Sequence, residues 1–172
     1  MAAPEKPDLP LDLLPVPGLD GWYRTAIGRN YSETAARVLA LQGAPRLDEW
    51  QIVCGCKGDD AGHSIYVIHG FSPIELAREF RTGSHNAWPK AETDKVCEQL
   101  GSVFEIAPFQ PYFIDAAGFK CRFIQPISSQ QADAIERILT VGLEGYVSEW
   151  SGQGPIVADT VVAENGLRLW WD

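Results

Sequence analysis

Long apolar runs are missing from this 172-residue chain. No stretch approaches the roughly 20 residues needed to span a bilayer. Near the N-terminus the longest apolar core is Leu13-Leu14, interrupted by proline on both sides, so no signal peptide is expected and the protein is read as cytoplasmic. Positive charge is also scarce: 14 Lys and Arg face 23 Asp and Glu, giving a net charge of −9 and a pI near 4.8. There is no basic run. Nucleic acid and anionic membranes are bound mainly through clustered Lys and Arg, so neither is expected as a partner.

Residues that usually carry chemistry are few. In the reducing compartment expected here, the four cysteines (Cys54, Cys56, Cys97, Cys121) are read as thiols and not as a disulfide framework. There are only three histidines. The chain has no Gly-x-Ser-x-Gly elbow, no glycine-rich phosphate loop opening a helix after a strand, and no dense acidic calcium loop. No internal repeat of fixed period is present, and no cofactor is expected.

What remains is an ordinary globular composition, 45% hydrophobic and 22% charged, long enough for one domain with a substantial core. Residues 1–21 hold five prolines (Pro4, Pro7, Pro10, Pro15, Pro17), which fix φ and remove backbone donors, so an extended N-terminal arm is expected there. Its leucines could pack on their own domain or on a neighbour. Residues 22–172 then form a single α+β domain.

Within that domain the apolar spacing predicts a helix over 32–41 closed by Gly43, then two strands, 50–56 and 64–69, joined by the polar tract 57–62. Ser72-Pro73-Ile74-Glu75 is a capping box with proline at the first helical position, and its helix should end near Thr82-Gly83. A loop with Trp88 follows, then a helix over 90–100 stopped by Gly101, strands 111–115 and 119–125, and a second capped helix from Ser128 to Gly142. A strand over 146–150 precedes a terminal β-hairpin, 156–172. Hairpins connect most neighbours, so a mostly antiparallel sheet with helices mainly on one face is the expected architecture.

The terminal hairpin is expected because Asn165-Gly166 suits a two-residue type I′ turn. That register puts Ile156, Ala158, Val162, Leu167, Leu169 and Trp171 on a core face. Trp170 falls on the opposite face with Val161, Arg168, Asp159 and Asp172. A large ring among mixed charges reads as a contact surface. From Leu143 onward five acids (Glu144, Glu149, Asp159, Glu164, Asp172) oppose one base, Arg168. Trp88, on its loop, is a second candidate anchor.

The nearest approach to a metal or nucleophile site is Cys54-Gly55-Cys56 with His63. Zinc sites usually space paired cysteines by two to four residues, whereas one residue separates these, and the competing reading is two small thiols filling the sheet's inner face. A nucleophilic cysteine would need His63 in reach and Asp59 or Asp60 to orient it.

Three classes of function are compatible with these features. The favoured one is a non-catalytic protein-binding protein, a cytosolic immunity or inhibitor protein that occludes the active surface of a basic toxin or effector, acting as a monomer or homodimer. It would use Trp170, Arg168, Asp159, Asp172, Glu149, Glu144 and Trp88. The alternatives are a subunit of a larger particle that reaches out with its arm, and a small Cys/His enzyme.

Overall fold

The computed structural model describes residues 5–26, 28, 30–43, 49–58, 62–82, 90–143 and 156–170. The chain is α+β: the described residues form five helices and one seven-stranded sheet in which one neighbouring pair, among those described, is parallel.

The proline-rich segment contributes β1 (Leu14–Pro15), which pairs antiparallel with β2 (Trp22–Arg24) at one edge of the sheet. An edge is where a strand containing proline can be tolerated. Leu9, Leu11 and Leu13 pack into a core cluster of their own domain, and Arg37 donates to the Pro10 carbonyl at 3.1 Å. Helix α1 (Tyr31–Gln42) starts where the Asn30 side chain accepts from the backbone N–H groups of Ser32 and Glu33, and ends at Gly43 with φ 59°. The expected hairpin follows as β3 (Trp50–Gly55) and β4 (Ser64–His69), in register from Trp50 opposite His69 to Gly55 opposite Ser64.

Helix α2 (Pro73–Glu79) opens with its full capping box. Helix α3 (Lys90–Ile106) does not stop at Gly101 as the sequence suggests. A glycine inside a helix costs only about 1 kcal/mol relative to alanine. The apolar stripe continues across it through Leu100, Val103 and Ala107, all buried. Strands β5 (Phe109–Ile114) and β6 (Gly118–Phe123) form the second hairpin, and α4 (Ser129–Gly142) again begins with a capping box, Ser128 with Gln131.

The C-terminus departs from expectation. Residues expected as the first arm of a terminal hairpin are helix α5 (Ala158–Glu164), followed directly by β7 (Gly166–Trp170), which pairs antiparallel with β6. The C-terminal antiparallel pair is therefore β6 with β7. Asn165 does take a positive φ, 47°, but as the left-handed cap of α5, with its N–H on the carbonyls of Val161 and Val162. Gly166 is glycine for a different reason: a Cβ there would collide with the Cys121 carbonyl of the neighbouring strand. One dipeptide chemistry thus serves a helix end in place of a β-turn. Helical periodicity also inverts the expected burial, with Val161 buried and Val162 37% exposed.

Strand order is β1-β2-β4-β3-β5-β6-β7. Alternation along the strands divides the core in two. On the first face Val53, Tyr66, Ile68, Phe119, Leu167 and Leu169 meet α2, α3, α4 and α5. On the second, Cys54, Ile65, Val67 and Phe113 meet Val38 of α1 and the arm's Leu13. Four helices on one face and one on the other match the expected arrangement.

The parallel pair, β3 with β5, is joined only at Cys54–Phe113 and Gly55–Ile114. Pro111 has no N–H to offer a ladder. The gap is filled by Gln42, whose side-chain amide donates to the carbonyls of Ile52 at 2.7 Å and Pro111 at 2.8 Å.

Candidate functional site

Cross-strand neighbours on the second face form a row: Ile65 beside Cys54, Cys54 beside Phe113, Phe113 beside Lys120, and Lys120 beside Arg168. The row passes from apolar core to a charged edge, because β7 ends the sheet. Like charges directly opposite each other are unfavourable, and each cation is accommodated differently. Arg168 Nε donates to Glu164 Oε2 at 2.9 Å, one helical turn earlier in sequence. Lys120 Nζ lies over three rings, 5.4 Å from the centre of Tyr31, 5.1 Å from Phe113 and 5.9 Å from Trp170. Such cation–π contacts are worth about 0.5–2 kcal/mol each.

The rings are brought together by local backbone features. A register shift between Pro111 and Phe113 lets Tyr112 and Phe113 both join the second-face cluster. Trp170 stacks on Phe113 with ring centres 6.1 Å apart at 24°. Gly118, directly opposite Trp170, makes room: an added Cβ would sit 2.8 Å from the indole and 3.0 Å from the Phe113 ring. Tyr31 supplies the outer wall from the first residue of α1 and is 44% exposed.

Beside the cage sits a polar pair at the carboxyl ends of β3 and β5. His63 Nε2 is 3.0 Å from Asp115 Oδ2, and Asp115 Oδ1 accepts from the Ala117 N–H at 2.9 Å, which fixes the carboxylate. The imidazole packs against Phe113 and Tyr31, at centroid distances of 5.4 and 5.9 Å. Asp115 was not among the residues picked out from sequence. Asp59 and Asp60, cast there as orienting groups, lie outside the described residues.

Cys54 is fully buried, and its thiol donates to the Tyr31 carbonyl at 3.9 Å. Burial, reinforced by the negative charge of Asp115, pushes this thiol up to about 12. It is therefore protonated near neutrality and a poor nucleophile. Cys56 is half-buried. Among the described residues, no three His, Cys, Asp or Glu side chains are grouped so as to hold a metal ion. Cys54 thus fits the packing alternative better than the nucleophile one.

Of the expected contact residues, Trp170 and Arg168 do share the face opposite Leu167 and Leu169. Trp170 is half-buried in a stack and does not stand free. Asp159 is exposed but lies in the first turn of α5, not on a strand beside Trp170. Glu144, Glu149, Asp172, Trp88, Trp171 and the expected strand over 146–150 lie outside the described residues. The alternation of β6 (Phe119 and Cys121 inward) would have placed Lys120 on the Trp170 face. The contribution of Tyr31, from a helix terminus, had no such signal.

No protein-family model matches this chain, and no curated protein or solved structure matches it either.

Proposed function

We propose that this protein is a non-catalytic binding protein, an immunity- or inhibitor-type protein that occludes the active surface of a basic toxin or effector. The observation that carries the reading is the half-exposed cluster of Tyr31, Trp170, Lys120 and His63 at the edge of the sheet's second face. Tyr and Trp in pre-packed positions lose little entropy on association and are the residue types that dominate binding energy. Trp170 against Phe113 and Tyr31 against His63 are held before any partner arrives. The net charge of −9 supplies the long-range attraction that speeds encounter with a basic protein.

The particle-subunit alternative draws less support from the arm, since Leu13 is buried and Leu9 and Leu11 are half-buried on their own domain, with Leu14 left 58% exposed. Of the two cysteines that the enzyme alternative offers as nucleophile, Cys54 is buried and protonated near neutrality, which favours the binding reading.

The test is capture of partners from the native lysate by the purified protein, with Tyr31→Ala and Asp159→Lys as comparison baits. Both positions are exposed, so both variants should fold. The reading expects one basic protein, captured about tenfold or more less well by Tyr31→Ala and more slowly by Asp159→Lys. Recovery of no basic protein, or equal capture by all three baits, sinks it.

A further inference from the structure

We propose that Lys120 is the point at which this face receives a carboxylate, so that the segment it binds is an acidic peptide stretch of the protein partner. The inference rests on the binding-protein reading and adds the chemistry of the contact. Four cationic or titratable groups border the aromatic cluster: His63, Lys120, Arg122 and Arg168. Three have polar partners within the chain. His63 is on Asp115, Arg168 is on Glu164, and Arg122 Nη2 donates to the Gly43 carbonyl at 2.8 Å. Lys120 alone meets only rings, with no carboxylate or carbonyl partner among the described residues.

A ring face attracts the ammonium charge but accepts its N–H donors poorly. On this half-buried residue three strong donors have no acceptor among the described residues, and water or an incoming acceptor can take them. The surrounding rings fix the side chain beforehand and lower the local dielectric, so an arriving carboxylate would form a charge-assisted hydrogen bond at small entropic cost. Exposed Tyr31 on one side and half-buried Trp170 on the other offer apolar surface to the residues flanking that carboxylate. A positive point held only by rings on a chain of charge −9 also sets register: a basic partner is steered by the whole surface, and one acidic side chain on it selects the docked orientation.

The test is an NMR titration of the full-length ¹⁵N-labelled protein with the peptide acetyl-Leu-Glu-Tyr-Glu-Leu-amide, its Glu→Gln counterpart, and inorganic phosphate. The expected result is saturable shifts of the Lys120 ammonium and the Trp170 indole N–H with the acidic peptide. The glutamine peptide should bind at least about tenfold more weakly, as for loss of a hydrogen bond to a charged group. Lys120→Gln should abolish the difference between the two peptides. Lys120→Arg should restore it, which separates a charge role from a packing role. Equal shifts with both peptides, or equal discrimination by Lys120→Gln, would overturn the proposal. Matching shifts from phosphate at the same concentration would overturn it too, by making the site a general anion point. Should the lysate yield a basic partner that Lys120→Gln captures undiminished, the inference fails while the binding reading stands. If no partner is captured, that reading fails, and the peptide titration judges Lys120 separately.

Discussion

Replacing Gln42 by leucine should destabilise this protein by about 1–5 kcal/mol, although no ordinary core contact is lost. The Gln42 amide occupies the place of a missing ladder, donating at 2.7 and 2.8 Å to carbonyls of β3 and β5 where Pro111 has no N–H. Leucine is of similar size but offers no donor, so two carbonyls lose their partner at about 1–3 kcal/mol each. Against this, leucine removes Gln42 Oε1, which is buried with no hydrogen-bond partner among the described residues, returning about 1 kcal/mol. For a domain of this size the net loss lowers the melting temperature by about 2–20 °C. Gln42→Glu is the sharper variant, since an ionised carboxylate only accepts and would face both carbonyls with negative charge. It should be at least as destabilising as leucine. Urea unfolding should show a lower midpoint with an unchanged slope. A leucine variant within about 0.5 kcal/mol of wild type, the usual scatter for an inconsequential substitution, would refute the reasoning. So would a glutamate variant more stable than the leucine one, because the amide would then not be bridging the strands.

Two further perturbations read the second face. Gly118→Ala places a methyl group 2.8 Å from the Trp170 ring, and the indole must leave its stack on Phe113. The near-ultraviolet dichroism of Trp170 should weaken and stability should fall by about 1–3 kcal/mol; an unchanged spectrum at full stability would mean the stack does not depend on that glycine. The thiol of Cys54, raised from 9.0 to about 12 by burial and then by Asp115, predicts alkaline sensitivity. Between pH 9 and about 12 the unfolded chain has lost a proton that the native state still holds. Stability from this group is therefore full below pH 9 and declines as pH rises towards 12. Urea midpoints at pH 8, 9.5 and 10.5 should fall progressively, and less steeply in Cys54→Ala. A slope identical in that variant would show that other groups set the pH dependence.

Much of the fold was legible because its signals are local. Both capping boxes, Ser72 with Glu75 and Ser128 with Gln131, open helices where the sequence places them, since a cap is made by residues three apart. The β3–β4 hairpin shows the expected pairing because alternation fixes which face each residue takes. The two failures share one physical cause, that a local preference is permissive. Gly101 lowers helix propensity without ending α3, as burial on either side outweighs it. Asn165-Gly166 allows positive φ, and whether that becomes a turn or a helix cap depends on the preceding residues. Residues 158–164 read equally as a strand carrying the β-branched run Thr160-Val161-Val162 or as a short helix burying Ala158 and Val161. The deciding interaction is remote: Glu136, on α4, accepts the Ala158 N–H at 2.7 Å and caps the helix start.

The candidate site was legible in part for the same reason. The face of Trp170 follows from strand alternation alone and is where the sequence puts it, since only the preceding arm of the hairpin was misassigned. What surrounds Trp170 depends on residues far away in sequence: Tyr31 reaches it from a helix terminus, Phe113 through a bulge, and His63 through an aspartate 52 residues on. None of these has a periodicity to betray it. The consequence for function is specific. A tryptophan standing free among acids would be a flexible anchor offering mainly area. One stacked on Phe113 and overlain by Lys120 is a rigid ring with a positive charge fixed beside it, and on the proposed binding reading that combination would discriminate among partners as well as attract them. On that reading the expected energetics move from rim charges such as Asp159, whose removal should alter chiefly the association rate, to the caged lysine, whose removal should alter chiefly how long a complex lasts.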